Sequence, residues 1–225
     1  MARITRFIND GTGLEKTLRL IQSIAQIAAV FTVGSTAVRL TTAKLQLALS
    51  RRFFRFFCFL GSFEQVSALL TNGGRNSVAG WLDLGKWTSF GLYFITEDLT
   101  ILHAMGVWTV PWEERVMRQA NTYWFFALCF SLAGSLYKIF FSAPAKSANK
   151  SSSKSKSKGG KEKKTEEPVV EAPKTSALVQ QFVVDSCDLL LPLELLDWYP
   201  TGDLVLGVTM VLSTILTGWN VWTRV

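Results

Sequence analysis

The sequence predicts an all-α integral membrane protein with N-terminal amphipathic helices and two transmembrane helices. Two uncharged runs carry most of that expectation: residues 119–137 pass 19 positions without a charge, and 204–223 pass 20. A helix crosses a hydrocarbon core of about 30 Å with about 20 such residues. Before them, apolar side chains recur at helical steps of three and four beside basic ones, a pattern suited to a membrane surface. The charge is also segregated. Residues 1–60 hold nine Lys or Arg against Asp10 and Glu15, whereas 177–225 hold five acids against Arg224.

The N-terminal amphipathic region covers residues 1–80. Thr12 and Glu15 have capping-box spacing and predict a helix start. Leu14, Leu18, Ile21, Ala25 and Ala28 then form one stripe, with Glu15, Arg19, Gln22 and Gln26 opposite, facing water. Residues 20–38 are also uncharged, but Gln22, Ser23, Gln26, Thr32 and Ser35 make a crossing there costly. Gly34 and Ser35 predict a break and a second helix to about Leu60. On it Val38, Leu45, Leu49, Phe53, Phe56 and Leu60 share a narrow arc, with Lys44, Arg51, Arg52 and Arg55 gathered beside them. A helix of this kind lies in the headgroup plane, with its rings among acyl chains and its basic edge on anionic phospholipids.

A short stripe through Phe63, Val66, Leu69 and Leu70 leads to a turn at residues 71–74. Residues 81–118 are apolar but interrupted by Asp83, Lys86, Glu97 and Asp98, which predicts a membrane-associated helical hairpin. Transmembrane helix 1 is expected over 119–142, with Tyr123 and Trp124 as interfacial anchors and Lys138 snorkelling to water. Residues 143–176, rich in Lys and Ser and without an aromatic side chain, predict a disordered linker. An amphipathic helix and turn over 177–202 precede transmembrane helix 2 over 203–223, anchored by Trp198, Trp219 and Trp222.

The expectation for chemistry is negative: no enzyme, cofactor or metal site. His103 is the single histidine, and neither a Walker loop nor a dinucleotide fingerprint occurs. Cys58, Cys129 and Cys187 lack metal spacing and read as buried reduced thiols. Asp185, Asp188, Glu194 and Asp197 suit helix ends and helix contacts better than paired catalysis. The Lys run lacks interleaved aromatics, so no nucleic-acid partner is expected.

Three blocks resemble the peroxin-11 family of peroxisomal membrane proteins: residues 12–22 (TGLEKTLRLIQ), residues 49–70 (LSRRFFRFFCFLGSFEQVSALL), and residues 185–198 followed by the apolar helix that ends at Trp219 and Trp222. Ser23 departs from the family pattern, which has an aromatic after the glutamine, and the Lys-rich linker is unusually long. The resemblance implies a multi-pass protein that elongates the peroxisomal membrane before division, inserts an amphipathic helix in the cytosolic leaflet, self-associates as a homo-oligomer, and helps recruit dynamin-related fission machinery. It also implies cytosolic termini with the linker in the lumen, against the positive-inside rule. The alternative function is a pore or permeability protein for small solutes, which the absence of charge in 120–137 and 204–223 disfavours.

Overall fold

A computed structural model of the chain describes residues 2–71, 73, 76–141 and 175–224. Among these residues the secondary structure is helical, without strands. The predicted linker lies outside the described residues except for its last two positions, and so do Asn72 and Gly74 of the predicted turn.

The chain begins with a short helix that the sequence reading lacks, α1 (Ala2–Asn9). The long helix α2 (Gly11–Val30) starts two residues earlier than expected: the Asp10 carboxylate accepts a hydrogen bond from the Thr12 amide at 2.9 Å. Asp10 therefore caps α2 in place of the Thr12–Glu15 box, and Glu15 is free to pair elsewhere. The next helix stops short of Leu60. It divides into α3 (Gly34–Arg55) and α4 (Cys58–Thr71), bent by 46°. Phe57, at φ 66°, makes the corner in a left-handed conformation that a bulky side chain rarely adopts, and its amide donates to Asp98 at 3.2 Å.

The expected hairpin over 81–118 is instead one helix, α5 (Val78–Leu99), followed by the four-residue α6 (Ile101–Ala104). The Ser77 hydroxyl caps α5 by accepting from the Gly80 amide at 3.1 Å. The charges that argued against a single helix do not interrupt it, because they turn toward neighbouring helices. The remaining helices are α7 (Glu113–Phe141), α8 (Thr175–Leu195) and α9 (Asp203–Trp222). By length and composition α7 and α9 can each cross a membrane, and the bent pair α3–α4 can count as a third span.

The helices pack in the order α4, α5, α7, α8, α9, α2, α3. Polar contacts give their directions. Asp83 meets Lys138, so α5 and α7 are antiparallel. Gln180 reaches the Leu216 carbonyl and Asn220, which sets α8 antiparallel to α9. Phe7 packs on Trp222 at one end of α9 while Gln26 bonds Asp203 at the other, so α2 runs against α9 along its whole length. Glycines let these backbones approach: a Cβ on Gly207 would sit 2.5 Å from Ile27 Cγ1, and one on Gly91 2.8 Å from the Phe63 ring.

The partition of residues is inverted relative to a water-soluble bundle. Glu15, Arg19, Gln22 and Gln26, expected on the polar side of α2, are buried together with Ser23, whereas Ile21 and Ile24 on the same helix are about half exposed. Ser131, Ser135, Asp185, Ser213 and Thr214 are buried too, while Val208, Leu212, Ile215 and Trp219 of α9 face outward. In water such a surface would be strongly unfavourable, but in lipid an apolar exterior costs nothing and polar groups must find partners inside.

Candidate membrane-contact site

The site begins with α3, on which no residue is fully buried. Its apolar arc is open: Val38 is 66% exposed, Leu45 59% and Phe53 48%. Leu49 is half-buried. Past the corner Phe56, Phe57 and Leu60 are also exposed, so the apolar face is largely open among the described residues.

The basic edge is different, and here the expectation is corrected. Arg51 donates through Nε to Glu15 and through Nη1 to Gln22, both at 2.8 Å. Arg55 meets Glu97 at 2.8 Å and the Tyr93 hydroxyl at 3.0 Å. Arg52 donates to the Glu97 carbonyl and to Thr100 Oγ1, and Lys44 reaches Asp203 at 2.6 Å. The arginines are thus paired with groups of neighbouring helices. The reason is electrostatic: a guanidinium among apolar helices keeps its charge most favourably beside a carboxylate, and Glu15 and Glu97 supply one from each flank. Glu97 Oε2 and the Nε atoms of Arg52 and Arg55 are buried without a hydrogen-bond partner.

Two further polar clusters tie the spans together. Asp188 forms a charge pair with Arg19 across α8 and α2. Asp185 accepts from Ser131 at 2.6 Å and from Gln181 at 2.7 Å, joining α8 to α7. Asp185 and Asp188 are therefore helix contacts, Glu194 accepts from Thr201 in the turn before α9, and His103 Nδ1 accepts the Val110 amide at 3.0 Å. Cys129 and Cys187 are part-buried thiols, but Cys58 is exposed beside the α3–α4 corner, against expectation.

The anchors divide similarly. Trp219 stands open to the surroundings and Trp198 is exposed while packing its edge on Phe125. Trp222 lies under Phe7 and the Arg3 guanidinium, and Trp124 stacks on Tyr93, whereas Tyr123 is half-buried. Lys138, part-exposed near the end of α7, bonds both oxygens of Asp83. Glu15, Gln22, Tyr93 and Glu97 are the functional partners that sequence reading missed. Their signal was present: an acid inside an apolar run needs an internal cation.

An all-helical chain with apolar flanks, interior ion pairs and two helices of spanning length is an integral membrane protein. It belongs to the peroxisomal biogenesis factor 11 (PEX11) family, whose model matches residues 1–222, and it resides in the peroxisomal membrane. It is similar to the peroxisomal membrane protein PMP27 of Saccharomyces cerevisiae, 28% identical over 142 residues, a match covering 62% of this chain and 59% of that relative. No solved structure matches it.

Proposed function

We propose that this protein promotes peroxisome proliferation by remodelling and elongating the membrane, with the apolar face of α3 and the Phe53–Phe57 corner as its wedge. The observation that carries this is the division of α3: Val38, Leu45, Phe53, Phe56 and Leu60 face outward while Arg51, Arg52 and Arg55 clamp the helix to α2 and α5. A wedge bolted to the spans cannot slide out of the leaflet when curvature strains it. The arginines then act as struts, and the apolar area buried in acyl chains supplies the wedge. Self-association and recruitment of dynamin-related fission machinery belong to the same reading, by family.

The permeability alternative calls for polar groups open to a passing solute. Most of the buried ones here are committed to each other, which supports remodelling. With α7 and α9 both crossing, their C-terminal ends share one side, and so do the N-terminus, held at Trp222, and the two ends of the linker. That reading replaces the one with termini and linker on opposite sides, and it removes the conflict with the positive-inside rule.

The test is reconstitution of the full chain into vesicles, imaged by electron microscopy. Phe53→Ser with Phe56→Ser should greatly reduce tubule formation while leaving the helix content and insertion intact. Undiminished tubulation would overturn the wedge.

A further inference from the structure

Between α1, α2 and α9 lies a cavity of about 260 Å³, lined chiefly by Phe7, Leu20, Ile215, Gly218, Trp219 and Trp222, with Lys16 and Thr17 on its wall. It opens on the outward flank of α9, beside residues that face the membrane interior, and near the C-terminal end of that span. Its walls are almost wholly apolar, yet cations border it. Lys16 Nζ sits 3.0 Å from Glu15, a carboxylate that must also balance Arg51 at 2.8 Å, so the group keeps a net positive charge. The Arg3 guanidinium lies 5.3 Å above the Trp222 ring and donates to the Trp222 carbonyl at 3.3 Å.

An apolar slot at the edge of a span, with a net positive charge at its mouth, is shaped for an amphiphile with an acyl chain and an anionic head. We infer that this slot holds one chain of an anionic phospholipid, its phosphate between Lys16 and Arg3. Charge complementarity selects the occupant. A zwitterionic lipid gains less at that mouth, and a free phosphate leaves the slot empty. The slot is lined by α1, α2 and α9, and α3 bears on it only through Arg51 on Glu15, so filling the slot tests it separately from the wedge.

Gly218 provides a clean probe, because a Cβ there meets nothing within 4 Å. Gly218→Leu fills the slot without clashing with the protein. The full chain in detergent is titrated with palmitoyl-oleoyl phosphatidic acid, with the matching phosphatidylcholine, and with inorganic phosphate, and retained lipid is read by native mass spectrometry. One phosphatidic acid per chain is expected, with phosphatidylcholine held about tenfold more weakly and inorganic phosphate failing to compete. Gly218→Leu should lose the bound lipid with its unfolding temperature in lipid-free detergent unchanged. Lys16→Gln with Arg3→Gln should bring phosphatidic acid down to the phosphatidylcholine level. Retention by Gly218→Leu equal to the parent, equal binding of both lipids, or displacement by inorganic phosphate would each overturn the assignment.

Discussion

Arg19 shows what a single buried charge does in this molecule. Its side chain is 6% exposed and that of Asp188 16%, so the pair is almost fully withdrawn from solvent. Breaking such a pair by removing one partner leaves an uncompensated charge, at a cost of about 3–5 kcal/mol, whereas replacing both with apolar residues of similar volume is often neutral. Thermal unfolding in detergent should therefore show Asp188→Ala strongly destabilised and Arg19→Met with Asp188→Leu close to the parent. The same logic explains why Arg51, Arg52 and Arg55 read as a lipid-facing edge from sequence. Periodicity places them correctly beside the phenylalanines but carries no information about carboxylates 29 or more positions away, such as Glu15 and Glu97.

At the scale of helices, contact depends on small residues where backbones converge. Gly207 lets α9 lie on α2, and any side chain there must displace Ile27. Gly207→Leu is expected to cost about 1–3 kcal/mol by overpacking and to loosen α2 from α9, read as faster hydrogen exchange in α2. Gly218→Leu, on the outward side of the same helix, should leave that exchange unchanged. The elements with the strongest sequence signal were α7 and α9: α9 was legible almost to the residue, and α7 at its C-terminal end though it starts six residues before the expected 119, because an uncharged run of spanning length has few alternatives. The α5 helix was not: Asp83, Glu97 and Asp98 look like interruptions until Lys138, Arg52, Arg55 and the Phe57 amide are seen to receive them. The corner at Phe57 had no glycine or proline to announce it.

For the molecule as a whole, the informative feature is inversion: ion pairs and hydroxyls inside, isoleucine, valine and phenylalanine outside. Sequence reading found both faces of α2 but assigned the polar one to water, because amphipathic periodicity is the same whichever side faces the solvent. Seven helices in packing order, with polar groups bridging the neighbours from α5 through α3, make the difference visible only in three dimensions. The account then requires that α2 share the membrane with α9, its apolar side on lipid. Spin labels on single cysteines at Ile21, Ile24, Leu212 and Ile215, introduced with Cys58, Cys129 and Cys187 replaced, test this in reconstituted vesicles. All four should collide freely with dissolved oxygen and be shielded from an aqueous nickel chelate, as lipid-facing sites are. Ready access of the nickel chelate to Ile21 and Ile24, with shielding only at Leu212 and Ile215, would put α2 in water and contradict the inverted bundle.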